Sequence, residues 1–209
     1  MKMIRYYAGI GSRETPINIM NKMNIIAKIL EEKHYVLRSG GANGADTAFE
    51  MGVDSWTKKD IYLPYPEFNG RSTKQKSYIY IPFGDEDFDA AYESLKVHPS
   101  KGKMGATAKN MMLRNYFQIY GIRNQPKSDF VICWTSDAAN GTTVKTSYDT
   151  GGSGQAIRLA ALENIPVYNL ADNRYKDMSD VDFVELLLYN FKNNIHPDIV
   201  IQEMTKKLF

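Results

Sequence analysis

The sequence predicts an α/β fold: a Rossmann-like, mostly parallel sheet flanked by helices on both faces. Three observations predict it. Short apolar runs alternate with segments of helical period, as parallel βαβ units require. Three glycine-rich turns stand before predicted helices, two of them directly after predicted strands: Gly9-Ile10-Gly11-Ser12, Ser39-Gly40-Gly41-Ala42-Asn43-Gly44 and Gly151-Gly152-Ser153-Gly154. The chain has 209 residues, 43% of them hydrophobic. A chain of that size buries roughly 70% of its unfolded surface, enough for a substantial core.

The elements follow in order. Residues 3–8 are apolar and partly aromatic and read as a buried strand that ends in the first glycine turn. In residues 16–32, Ile17, Met20, Met23, Ala27 and Leu30 recur at helical spacing, with Thr15 as N-cap and Pro16 at the first helical position. Residues 35–38 form a second strand and residues 45–51 a second helix, which Gly52 can end. A third strand, 61–63, is stopped by Pro64 and Pro66. Residues 68–83 are polar and Tyr-rich and read as loop, with 78–81 as a short strand candidate. A short helix is expected over 85–95 and a longer one over 104–120, where Met104, Ala108, Met111, Met112, Tyr116 and Ile119 make an apolar stripe. Strands at 129–134 and 165–170 bracket a polar loop (136–150) and a helix over 155–163, and a last helix covers 181–191. The expected organisation is one domain over 1–209, with an irregular middle segment (about 65–103) and a C-terminal helical tail.

Composition narrows the function class. The aromatic content is 12% and the net charge +2, which argues against disorder. No apolar run approaches the roughly 20 residues that span a bilayer. The N-terminal segment lacks a signal-peptide apolar stretch. One cysteine makes no internal disulfide, and His34, His98 and His196 show no ligand spacing. A cytoplasmic protein without metal or cofactor is expected. Charge is uneven, however. Lys96, Lys101, Lys103, Lys109, Arg114, Arg123 and Lys127 fall in a stretch, 95–127, without Asp or Glu. Such a block either meets phosphates or is balanced by acids from elsewhere in the fold.

The glycine turns carry the chemistry. Glycine lets backbone approach a ligand closely, and a helix N-terminus presents N–H groups at its positive end. The NAD fingerprint is not met, since Gly9-Ile10-Gly11 lacks the third glycine and no acid follows the second strand; no Gly-Lys-Ser/Thr loop is present.

These residues carry a resemblance. Arg38-Ser39-Gly40-Gly41-Ala42-Asn43-Gly44-Ala45-Asp46 resembles the first glycine loop of the DNA-processing DprA (Smf) family. Thr150-Gly151-Gly152-Ser153-Gly154-Gln155-Ala156-Ile157-Arg158, followed by 165–170, is similar to the second phosphate loop of the wider SLOG superfamily, which also holds the LOG phosphoribohydrolases. Tyr7-Ala8-Gly9-Ile10-Gly11-Ser12-Arg13 and Leu113-Arg114-Asn115 look like small phage-type members of the DprA-like group. The resemblance implies a Rossmann-like fold and two phosphate loops. Where DprA proteins carry Ala-His, this chain has Phe49-Glu50. Where LOG enzymes place a threonine and the expected catalytic glutamate, it has Gln155 and Arg158, a cation suited to an anion.

The expected function is binding of a nucleotide or nucleotide-derived ligand, such as an ADP-ribose derivative or a cyclic nucleotide signal, to sense or sequester it. Gly11, Ser12 and Arg13 would form one wall. Ser39, Gly40, Gly41 and Asn43 would hold one phosphate, and Gly152, Ser153 and Gly154, with Gln155 in the same loop, another. Arg114 is either a phosphate ligand or half of an ion pair; Asn115 beside it points about 100° away. Asp46, in the first turn of a helix, either answers the helix dipole or contacts ribose or base. Glu50 shares its face one turn on, and Glu14 follows the first turn. These three carboxylates are the candidates for a competing reading, an N-glycosidic hydrolase. A third reading is a DprA-like single-stranded DNA binder using the basic block. Weak DNA binding is expected from that block, because Tyr116, Phe117 and Tyr120 cluster at one end of it. Cys133 and the helical stripes read as core, and Tyr65, Tyr78 and Tyr80 either pack or stack on a base. A homo-oligomer is compatible with the sequence.

Overall fold

Strands β1 (Arg5–Gly9), β2 (Tyr35–Ser39), β3 (Lys59–Tyr62), β4 (Ile79–Tyr80), β5 (Phe130–Cys133) and β6 (Val167–Asn169) form one sheet in the order β4-β3-β2-β1-β5-β6. The computed structural model describes residues 4–72, 78–82 and 87–198. Every neighbouring pair is parallel, with Tyr7 opposite Leu37 on one side and Phe130 on the other. A parallel strand must be covered on both faces. Helices α1 (Ile17–Glu32), α2 (Ala45–Met51) and α7 (Asp180–Lys192) cover one. There Tyr7, Leu37, Ile61, Phe130 and Tyr168 pack against Met23, Ile26, Phe49, Phe183 and Leu187. Helices α3 (Phe88–Ser94), α4 (Ala106–Tyr120) and α5 (Gly154–Leu162) cover the other, over Ala8, Tyr62, Val131 and Cys133. A single turn, α6 (Asn173–Lys176), adds Tyr175 to the first core.

The expected helices and strands are present, with ends displaced by a few residues. The short strand candidate is real: β4 hydrogen-bonds to β3 at the sheet edge. Thr15 does not cap α1. Its hydroxyl donates to the Ser12 carbonyl at 2.7 Å, and Pro16 takes the cap position with φ −57° and ψ 147°. With extended backbone at Pro16, the helix starts at Ile17, one residue later than expected. α6 has no apolar stripe and was not expected; Asp172 caps it by accepting from Arg174 N–H. Residues 1–3, 73–77, 83–86 and 199–209, which include parts of the expected loop, short helix and tail, lie outside the described residues.

One polar residue inside the second core stands out. Arg38 is fully buried, lies 3.8 Å over the Tyr6 ring and donates to Gln125 Oε1 at 3.0 Å. It pins the end of α4 to the middle of the sheet.

Phe49 is the pivot of the first core: fully buried, edge-on to Tyr7, and so close to Gly9 that a Cβ there would stand 2.6 Å away. Phe49→Ala is expected to cost about 3–5 kcal/mol, the usual range for emptying a rigid aromatic site. Chemical denaturation reads this; a loss below about 1 kcal/mol would show that the site collapses freely.

Candidate functional site

The sheet reverses its direction of growth between β1 and β5. At such a switch point the turns leaving the two strands part, and a crevice opens at the carboxyl edge. A cleft of about 640 Å³ lies there. The turn after β1 (Ile10, Gly11, Ser12, Arg13, Glu14) forms one wall, and α4 another through Met111, Met112, Arg114 and Asn115. The third is the approach to α5, Tyr148, Asp149, Thr150, Gly151, Gly152 and Ser153.

Each wall is fixed by identifiable contacts. Arg114 and Asn115, about 100° apart on α4, reach different walls. Arg114 is buried and reaches Asp46 Oδ2 at 3.3 Å, over the first glycine loop. A Cβ on Gly40 would stand 1.3 Å from its Nη1, so that glycine is the seat of the arginine. Asn115 Nδ2 donates to the Gly152 carbonyl at 2.7 Å and ties α4 to the second glycine loop. Asp46 also accepts from Ala42 N–H at 3.3 Å. Burial pushes its carboxyl up; the Arg114 guanidinium and the Ala42 N–H oppose that.

The expected site residues divide accordingly. Gly11, Ser12, Arg13, Glu14, Asp46, Arg114, Gly152 and Ser153 line the cleft. Ser39 is buried and spends its hydroxyl on the Gly9 carbonyl at 2.7 Å. Gly40 lies under Arg114, and the Gly41 carbonyl accepts from Asn69 at 2.9 Å and Arg71 at 3.1 Å. Asn43 is exposed outside the lining, and Gly154 is buried. Gln155 is buried and donates to the Ser94 carbonyl at 2.9 Å. Of the three candidate carboxylates, Asp46 is held by Arg114 and Glu50 by Arg71 at 2.9 Å, whereas Glu14 is exposed at the cleft. Arg158 does not line the cleft. Sequence reasoning missed Met111, Met112 and Gln118 as lining residues, because on α4 they read as core stripe or carry no motif. It also missed Tyr148, which stands at the cleft 97% exposed. Its position just before the glycine loop was the available signal.

The basic block is partly neutralised. Arg114 pairs with Asp46, Lys127 with Glu163 and Lys96 with Glu93. Among the described residues, Lys101, Lys103 and Lys109 form no ion pair.

The segment between β5 and α5 has almost no regular structure and is held by side chains. Asp137 accepts from Ser147 Oγ at 2.6 Å, and from the Thr150 hydroxyl. Burial alone would raise its carboxyl; these hydroxyl bonds outweigh that and hold it below the usual value.

No protein-family model and no curated protein sequence matches the chain. The class that the fold defines is that of open parallel α/β proteins with a cleft at the switch point. Among solved structures, the chain is similar to DNA processing protein A from Helicobacter pylori, whose structure describes a single-stranded DNA binding mode. The alignment has 18% identity and a TM-score of 0.48 and covers 96% of this chain and 82% of that one. It is also similar to DNA processing protein A (DprA) from Streptococcus pneumoniae, with 14% identity, a TM-score of 0.44, and 80% and 50% of the two chains covered.

Two outcomes test this geometry. Gly40→Ala is expected to destabilise by about 1–3 kcal/mol, the range for overpacking, and Gly152→Ala by about 0.5 kcal/mol or less. Equal melting temperatures for the two variants would refute the distinction. For Asp137, a depressed carboxylate stabilises above its unfolded pKa of about 3.9 and loses that stabilisation as pH falls through its folded value. Amide protection factors in residues 136–150, referred to the intrinsic exchange rate at each pH, should therefore fall below about pH 3.9, and Asp137→Asn should abolish this dependence. An acid response that persists in that variant would assign it to another group.

Proposed function

We propose that the cleft binds the phosphate of a nucleotide, and that this nucleotide belongs to a single-stranded nucleic-acid chain. The observation that carries the reading is the open space over Gly151 and Gly152. Gly11, Gly40 and Gly44 are glycines because neighbouring protein atoms lie under 3 Å from any added Cβ. Gly152 has no such neighbour, the nearest atom being Met112 Cε at 3.7 Å; over Gly151 nothing lies within 4 Å, although its left-handed φ of +64° itself calls for glycine and its N–H is spent on the Tyr148 carbonyl. Both are exposed, both face the cleft, and they lead into the positive end of α5, which no side chain caps. A phosphate placed there meets main-chain N–H groups with no Cβ in the way.

A strand suits the surroundings better than a free nucleotide. The cleft is lined along α4 by Ala108, Met111, Met112 and Asn115, and the basic residues Lys101, Lys103 and Lys109 lie in sequence just before and on that helix. The exposed Tyr148 ring offers a base a stacking face. Glu14 and Asp149 sit with Arg13 in the lining, so affinity rests on main-chain donors more than on net charge. Single-stranded DNA binding is also the property named for the Helicobacter pylori protein. A free ADP-ribose derivative or cyclic nucleotide uses the same phosphate chemistry and is the second reading. Hydrolysis of an N-glycosidic bond would fall to Glu14, since Asp46 and Glu50 are ion-paired.

Fluorescence anisotropy with a labelled oligothymidylate, alongside thermal shift with nucleoside monophosphates and ADP-ribose, tests the reading. The oligonucleotide should bind, with log K falling by about 0.7 per log unit of salt for each phosphate neutralised. Gly152→Val should weaken binding at least about tenfold, a loss of about 1.4 kcal/mol, while the fold stays intact. Binding of the free nucleotides alone would select the second reading. Absence of binding by either would remove both.

A further inference from the structure

A second concavity of about 510 Å³ lies on the other side of the 141–153 segment and shares no lining residue with the cleft. Val97, Thr142, Lys145, Thr146, Arg158 and Leu162 line it. Its charge is one-sided: two cations and, among the described residues, no Asp or Glu in the lining. The carboxylate nearest to it in the bonding network, Asp198, accepts from the Thr142 hydroxyl and is itself paired with Arg174 at 3.1 Å.

Arg158 is the centre of this pocket. One of its terminal nitrogens donates to Thr146 Oγ1 at 2.8 Å and the other to Gln155 Oε1 at 3.3 Å. Its Nε is buried without a partner. A guanidinium has five N–H donors in a fork made for oxyanions. Here no carboxylate within salt-bridge distance, among the described residues, offsets its charge. A half-buried, unpaired cation is costly, and burial lowers its pKa. Three donors are unspent. Because Thr146 accepts from Arg158, its own proton is available to a ligand oxygen. Lys145 spends one bond on the Gly141 carbonyl at 3.1 Å and is otherwise exposed. Burial and then the Arg158 charge push the His98 pKa down, so at neutral pH His98 adds no charge beside the pocket. Val97, together with Ala161 and the 63% exposed Leu162 one turn along α5 from Arg158, gives an apolar wall.

We propose that this pocket is a second anion site, which binds a phosphate ester between Arg158, Lys145 and Thr146 with the ligand's apolar part against Val97 and Leu162. The phosphate has two sources, a small phosphorylated metabolite or a nucleic-acid chain, and both use this chemistry. The site does not depend on the reading of the switch-point cleft.

The test is titration of the whole chain with inorganic phosphate against chloride at constant ionic strength, followed by nuclear magnetic resonance. Saturable shifts are expected in the Arg158 Nε–H signal and the backbone amides of Thr142 and Thr146, with those of Gly151 and Gly152 still. Arg158→Gln and the exposed Lys145→Gln should each weaken phosphate at least about tenfold, as loss of a charged hydrogen bond does, and Arg158→Lys should recover part of it. A nucleoside monophosphate and an oligothymidylate then separate the sources: whichever displaces phosphate from these signals is the ligand type. Phosphate that leaves the Arg158 signals unmoved, or that binds both Gln variants as it binds the unaltered chain, overturns the proposal. That result leaves oligonucleotide binding at Gly152 untouched.

Discussion

The buried ion pair between Asp46 and Arg114 is the constraint around which the site is arranged. It joins the first turn of α2 to the middle of α4, two elements on opposite faces of the sheet. Arg114 reaches Asp46 across Gly40 and fills the space a side chain would take there. A buried pair of this kind contributes little net stability, because desolvation offsets the attraction. It does make alternatives expensive: either charge left alone in that environment costs several kcal/mol, on the order of 3–5. So the distance between the first glycine loop and α4 is fixed, and the width of the cleft with it. The loop that the sequence suggests for phosphate is thereby filled by the protein's own guanidinium.

The glycines show how one residue type serves two physical ends. At Gly9, Gly11, Gly40 and Gly44 the neighbour that forbids a Cβ is another part of the chain. Parallel strands and their helices approach closely at these turns, and glycine permits the approach. At Gly152 no internal neighbour makes the demand. What is left over there is accessible main chain beside the N-terminus of α5.

The connection from β5 to α5 divides two concavities of different character. It has no ladder to satisfy its backbone, so polar side chains do so. Asn140 accepts from Thr142 N–H at 3.0 Å and Val144 N–H at 2.9 Å and donates to Asp198 at 3.1 Å. Asn169, at the end of β6, donates to the Ala139 carbonyl at 2.8 Å and to Thr135 Oγ1 at 2.7 Å. This network anchors one end of the connection to the sheet and leaves Tyr148 outside. On one side lie Gly151 and Gly152; on the other lies Arg158, one turn into α5.

The sequence by itself determined the class of fold and the type of nearly every element. Apolar period and glycine or proline punctuation are local properties, and they survive without tertiary context. That is why the strands expected at 3–8, 35–38 and 129–134 and the helices between them were legible, and why three glycine-rich turns could be named from sequence as the expected site. Tertiary structure decided which glycine loop stays open, which carboxylates are spent and which side of α5 Arg158 occupies. The reason is sequence separation. Arg114 meets Asp46 across 68 residues, and Asn115 meets Gly152 across 37. No local pattern encodes such partners; they are set by how the two helical layers close on the sheet.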